Sequence, residues 1–309
     1  MRIVFMGTPD FAVPSLEALA GSGYDIPAVV TQPDRPSGRG GRVEPPPVKK
    51  AALALGLNVM QPERLRRREH VEALGALNAD AFVTAAYGQI LSKRLLDIPR
   101  AGTINVHASL LPKYRGPAPV QWAVINGERE TGVTTMMTDA GIDSGDILLT
   151  RAVAVRSDET SGALLERLSR IGAELLIETL SLVESGACPR EPQDHTAATY
   201  FPMLNKEDGR IDWTRSAESI YHHILGVTPW PGAYTPTPNG IIKVMSSRVT
   251  DHPTDEPPGT IVVSDDKRGL VVVCGDGALE LVEIQPPSGK RMSAAAYLRG
   301  RRLPEGTRL

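Results

Sequence analysis

Cysteine is nearly absent from this sequence: Cys188 and Cys274 are its only two, far apart and without ligand-like spacing. Neither a disulfide framework nor a zinc site is expected from them. No run of about eighteen apolar residues occurs, so no membrane span is expected. Met1 leads straight into a strand pattern rather than into a basic segment followed by an apolar one, so the expected location is the cytoplasm. An excess of charge is missing too. The formal net charge of −2 argues against a general polyanion binder, although local clusters count for more than the total. The first strand-to-helix turn holds only Gly7, so the triple-glycine pyrophosphate fingerprint is lacking and a nicotinamide or flavin dinucleotide is not expected.

What remains is an ordinary globular composition, 41% hydrophobic and 23% charged over 309 residues, a length that suggests two domains. Short apolar runs at 2–6, 27–31, 58–60 and 81–86 alternate with segments of helical spacing at 14–20, 48–57 and 69–77. That alternation predicts an α/β domain, a Rossmann-like and mainly parallel sheet covered on both faces. A long amphipathic helix is predicted over 160–182, followed by a polar, proline-bearing stretch. The expected division is a first domain over 1–189, a linker over 190–206 and a second domain over 207–309. The second contains several short β-rich runs separated by tight turns at Asn239-Gly240, Lys267-Arg-Gly269 and Gly275-Asp-Gly277, a pattern that suggests a small barrel.

The densest chemistry lies between Gly102 and Leu148. Asn105 and His107 are two apart at the end of a strand-like run, so period-2 geometry points both side chains to one face. Pro112 and Gly116 prevent that strand from continuing. A second strand-like run, 132–138, leads into Asp139-Ala-Gly-Ile-Asp143-Ser-Gly-Asp146. Asp143 is positioned to orient His107 as the third member of an acid–base constellation. Taken singly, each residue also has a plain structural explanation: a turn asparagine, a satisfied strand-end histidine, a solvated loop aspartate. Cations cluster at Arg35, Arg39, Arg42, Lys49 and Lys50, and again at Lys290, Arg291, Arg299, Arg301, Arg302 and Arg308. Solvated surface is the competing explanation for any one of them.

Together, Asn105-Val-His107-Ala-Ser-Leu-Leu-Pro-Lys-Tyr-Arg-Gly116, Glu130-Thr-Gly-Val133 and Gly141-Ile-Asp143-Ser-Gly-Asp146 resemble the signature of the folate-dependent formyltransferases. The segments Met1–Ala12 and Thr31–Gly40, with Pro47-Val-Lys49, resemble the members of that family whose acceptor is initiator methionyl-tRNA, and the resemblance runs along essentially the whole chain. It implies a catalytic trio of Asn105, His107 and Asp143. It also implies 10-formyltetrahydrofolate as co-substrate, no metal, and an oligonucleotide-binding-like barrel at the C-terminus. Ser109, Leu110, Leu111 and Pro112 are the implied folate contacts, with Tyr87 and Gln89 as further candidates for the pterin pocket. Arg39 and Arg42, on a glycine-rich segment expected to be flexible, are the implied tRNA contacts. The implied partners are folate and initiator methionyl-tRNA, with no membrane and no obligatory protein partner. Three other readings share some of these features: an amino-sugar or nucleotide formyltransferase, a formyltetrahydrofolate hydrolase, and a non-catalytic folate- or RNA-binding module.

Overall fold

The computed structural model describes residues 1–37, 41–253, 255–301 and 303–309, with the side chains of Ser37 and Arg42 outside that description. Contacts divide the chain into two units. One comprises 1–119, 130–154 and 165–202; the other comprises 120–129, 155–164 and 203–309.

The first unit begins with β1 (Arg2–Gly7), α1 (Val13–Gly21) and β2 (Asp25–Val30). A hairpin of β3 (Arg35–Ser37) and β4 (Arg42–Glu44) follows. Next come α2 (Pro47–Ala54), β5 (Val59–Met60), α3 (Arg68–Gly75), β6 (Ala81–Ala85), α4 (Lys93–Leu96) and β7 (Thr103–His107). After α5 (Pro119–Ile125), most of which belongs to the second unit, the chain returns as β8 (Glu130–Met137), β9 (Ile147–Ala154) and α6 (Ser161–Ser185). The seven-stranded sheet has the order β5-β2-β1-β6-β7-β8-β9. Pairing is parallel from β5 to β7 and antiparallel at β7–β8 and β8–β9. The predicted mainly parallel sheet is therefore present, with an antiparallel edge.

Every residue of β6 is buried, the continuous burial expected of a strand covered on both faces. Val4, Met6, Phe82, Leu65, Leu74 and Leu95 form a core on one face. Along α6, Leu168, Leu175, Leu176 and Leu180 are all buried. A Cβ on Gly172 of this helix would stand 2.9 Å from Val106 Cγ1 and 3.3 Å from Val133 Cγ1, so the helix approaches β7 and β8 closely through the missing side chain. Because side chains alternate along a strand, Val106 facing α6 leaves Asn105 and His107 on the opposite face.

The 190–206 stretch, expected as a linker, is docked over most of its length. Glu191 exchanges backbone hydrogen bonds with Ile147, and Arg115 does so with Thr199 and Phe201. The expectation rested on composition, which does not record partners distant in sequence.

The second unit contains α7 (Ala217–Gly226), β10 (Ala233–Thr237), β11 (Gly240–Thr250), β12 (Ile261–Asp265), β13 (Gly269–Val273), β14 (Ala278–Gln285), β15 (Met292–Ser293) and α8 (Ala294–Gly300). Its small, barrel-like antiparallel sheet runs β10-β11-β14-β13-β12, with β15 added to β14. The core includes Ile220, Ile224, Trp213, Val244, Leu279, Leu281 and Tyr297. Trp213 donates its indole N–H to Thr235 Oγ1 at 3.0 Å, satisfying the one polar atom its burial would strand. Among the described residues no helix is long and apolar enough to cross a membrane.

Candidate active site

Asn105 sits at the centre of β7, paired with Thr84 of β6 and Met136 of β8, and His107 ends the strand opposite Thr134. The Thr84 hydroxyl donates to Asn105 Oδ1 at 2.9 Å. In that contact the Asn105 amide oxygen is the acceptor. The carbonyl is taken up by the sheet, while Nδ2 finds no acceptor among the described residues and is left as a donor.

His107 is 7% exposed. Its Nε2 lies 3.0 Å from the carbonyl oxygen of Tyr114. A carbonyl only accepts, so Nε2 carries the proton and the neutral ring presents its lone pair at Nδ1. Nδ1 is 3.8 Å from Asp143 Oδ2, too long for a direct hydrogen bond. The same carboxylate oxygen accepts from Gly116 N at 2.8 Å. The structure thus brings His107 and Asp143 together, and β7 places Asn105 on the same face.

Two loops carry this arrangement. Residues 109–116 are pinned by Thr134, whose hydroxyl donates to Ser109 O at 2.7 Å and receives Leu111 N at 3.3 Å. The Ser109 hydroxyl donates to Lys113 O at 2.8 Å, closing its own turn. Ser109 and Leu111 are buried, whereas Leu110 and Pro112 are half-buried and accessible. The loop 139–146 is braced by Ser144, whose hydroxyl donates to Asp139, and by Gln193, whose amide donates to Asp143 O and Gly145 O.

The side chains of Tyr87 and Gln89 have other duties. The Tyr87 ring packs in the β1–β6 core at 4% exposure, and burial pushes its phenol well above the usual range. Gln89 accepts from Leu65 N at 2.9 Å and donates to Pro62 O at 3.0 Å. What this segment offers a ligand is its backbone and Ile90, a residue 91% exposed. Exposure of an isoleucine beside polar loop residues is the signal a sequence does not display.

Arg39 lies outside the described residues, as do the Arg42 side chain and Arg302. The segment expected to be flexible has paired flanks, Arg35–Ser37 against Arg42–Glu44. Lys49, counted with the nearby cations, is instead neutralised: its ammonium lies 2.9 and 2.7 Å from the two Asp34 oxygens. Gln61 adds a bond at 2.6 Å. Gln61's amide and Lys49 hold the Asp34 carboxyl below the usual carboxylate range. In the tail, Arg291 is paired with Glu283, while Lys290 and Arg299 are exposed.

An α/β sheet that presents an amide donor and a carboxylate-backed imidazole on one face defines a class, group-transfer enzymes that stabilise an oxyanion beside an acid–base pair. Family models narrow it. Residues 1–180 match the formyl transferase model and residues 203–302 match the formyl transferase C-terminal domain. The chain belongs to the formyl transferase family. It is 48% identical over 308 residues to the methionyl-tRNA formyltransferase of Caldanaerobacter subterraneus subsp. tengcongensis, covering 99% of both chains. It is 50% identical over 306 residues to that of Citrifermentans bemidjiense, covering 99% of this chain and 95% of the relative. Among solved structures, the sugar 3N-formyl transferase WlaRD, crystallised with dTDP and 5-N-formyl-THF, shares the fold at a TM-score of 0.66 and 18% identity, with 91% of this chain and 96% of that one covered. HypX from Aquifex aeolicus in complex with tetrahydrofolic acid does so at 0.64 and 17%, over 96% of this chain and 47% of HypX.

Proposed function

We propose that this chain transfers the formyl group of 10-formyltetrahydrofolate to the α-amino group of methionine on initiator methionyl-tRNA, in the cytoplasm, for translation initiation. The observation that carries the reading is the near-full-length likeness, across both units, to proteins named for that activity.

The residues present suit the chemistry. Attack of an amine on a formyl carbon places negative charge on the formyl oxygen and leaves a proton to be removed. Asn105 Nδ2, aimed by Thr84, supplies the donor for that oxygen. His107 accepts the proton at Nδ1, beside Asp143. A free α-amino group has a reference pKa of about 7.7–8.0, so roughly a tenth or more is already neutral near pH 7 and polarising the carbonyl is the heavier demand. Leu110 and Pro112, the backbone of Ser109 and Leu111, and the backbone of Tyr87 to Gln89 with exposed Ile90 suit a flat, partly apolar ligand such as folate. Arg39 and Arg42 serve the tRNA, as does the domain over 207–309.

The test is formylation by the purified chain of initiator and elongator Met-tRNA, with 10-formyltetrahydrofolate as donor. Selective formylation of the initiator supports the reading. Folate turnover that is indifferent to charged tRNA would replace it with hydrolysis, and tight tRNA binding without turnover would replace it with a binding role.

A further inference from the structure

We propose that Gln193, anchored by Arg115, is a positioning residue that holds the Asp143 loop in register with His107. The inference rests on the formyl-transfer reading above.

Gln193 is 6% exposed, and its amide is completely engaged. Oε1 accepts from Arg115 Nη2 at 2.6 Å and Nε at 3.2 Å. Nε2 donates to Asp143 O at 2.9 Å and Gly145 O at 2.7 Å. Two acceptor and two donor positions are all that a primary amide has. Arg115 is itself 1% exposed. Its guanidinium also meets the Tyr200 hydroxyl at 2.7 Å and His195 Nδ1 at 3.1 Å, and among the described residues none of its side-chain partners is a carboxylate. Burying a guanidinium among neutral partners is unfavourable beside an acidic or apolar alternative, so stability alone does not account for the arrangement. A glutamine does here what neither alternative can: it accepts from the arginine and, through the same rigid amide, donates to two carbonyls of the catalytic loop.

The backbone gives a second, independent reason. Asp143 has φ +48° and Tyr114 φ +58°, left-handed conformations that are uncommon for residues other than glycine, more so for tyrosine than for aspartate. Both lie next to the imidazole: Tyr114 supplies the carbonyl to Nε2, and Asp143 supplies the carboxylate opposite Nδ1. Both are enforced from residues 191–201. Tyr114 N donates to Thr199 Oγ1 at 2.8 Å, and its ring stacks on Phe201 with centroids 4.8 Å apart. Asp143 is held through Gln193. Gly116 completes the join, since a Cβ there would lie 2.5 Å from Phe201 O. This segment is a strap across both catalytic loops, and Gln193 is its contact with the carboxylate side.

Gln193→Glu separates positioning from stability. The carboxylate keeps the length, gives Arg115 a counter-charge and cannot donate to Asp143 O and Gly145 O. The expected result is a melting temperature equal to or above that of the parent, KM for folate and Met-tRNA within about twofold, and kcat lower by ~10–100-fold, the effect of an ångström-scale misplacement. Amide exchange across 139–146 should accelerate. Gln193→Met, which removes acceptor and donors together, should lower kcat at least as far. Parental kcat in Gln193→Glu, unchanged exchange in 139–146, or losses in both variants that only track the folded fraction would overturn the proposal. Absence of formylation by the parent chain would instead overturn the reading it rests on, and the exchange measurement would still decide whether Gln193 holds the loop.

Discussion

Asp143 Oδ2 stands 3.8 Å from His107 Nδ1, and that nitrogen is the one the Tyr114 carbonyl leaves without a proton. The carboxylate is thus next to the position where positive charge develops when the ring accepts a proton. Its other engagement, Gly116 N at 2.8 Å, is a neutral donor that fixes its place without cancelling its charge.

His107→Ala and Asp143→Asn are therefore expected to lower kcat by ~10²–10⁴-fold with little change in KM for folate or tRNA. On the proposed mechanism the two residues act as one unit, so the double variant should be far from additive. Steady-state kinetics on the four proteins checks this, and near-parental turnover in either single variant would remove that residue from the mechanism.

Asn105→Ala should cost about 10²–10³ in kcat, the usual effect of losing an oxyanion donor. Asn105→Asp should do no better, since it places an acceptor where a donor is required. Thr84→Val tests the amide's orientation. Without the hydroxyl that engages Oδ1, the amide loses a bond of about 1 kcal/mol, and kcat should fall roughly fivefold. Thr84→Ser should restore it. If thermal melts show these variants losing stability while kcat per folded molecule is unchanged, Asn105 is a structural residue.

Much of the site could be read from local sequence, because the relevant rule is local. Two residues two apart in a strand share a face, so Asn105 and His107 declare their common direction. The same holds for the alternation of strands and helices through Leu77 and for the leucine spacing of α6. Strand direction and distant partners are another matter. β8 runs antiparallel to β7, which periodicity cannot encode. The half-exposed alternation of β9 gives only a weak apolar signal. Within the largely exposed 190–202 stretch, Gln193 is buried against Arg115 and the 139–146 loop, and composition alone cannot distinguish that one polar side chain from its neighbours that meet water.

Arg39→Ala and Arg42→Ala should weaken productive binding of Met-tRNA and leave folate affinity unchanged. Loss of a phosphate contact should reduce the slope of affinity against salt by about one unit for each arginine, whereas loss of a base contact should relax initiator-to-elongator discrimination by ~1–3 kcal/mol. Kinetics on both tRNAs across a salt series separates the two. Unchanged tRNA kinetics in both variants would return these cations to solvated surface. Lys49 is the internal contrast, since Asp34 already neutralises it. Lys49→Ala should act through loss of that ion pair and leave the slope of tRNA affinity against salt at its parental value.

The second unit contains a pH sensor of its own stability. His223, on α7, is 8% exposed, and Nε2 donates to Asp208 O at 2.6 Å. Burial lowers its pKa below the usual 6.5, with the Asp208 carbonyl opposing. In the unfolded chain the ring takes up a proton as pH falls through about 6.5, whereas in the folded chain it does so only at lower pH. Between those two points the unfolded state binds more protons, so stability must fall with falling pH. Above about 6.5 both states are neutral and the contribution is full. Thermal melts of the whole chain should therefore show the melting temperature declining as pH drops below about 6.5 and levelling once the folded ring is protonated. His223→Gln retains a donor for Asp208 O and cannot titrate. Its melting temperature should be flatter across the same window, and an unaltered slope would assign the pH dependence to other groups.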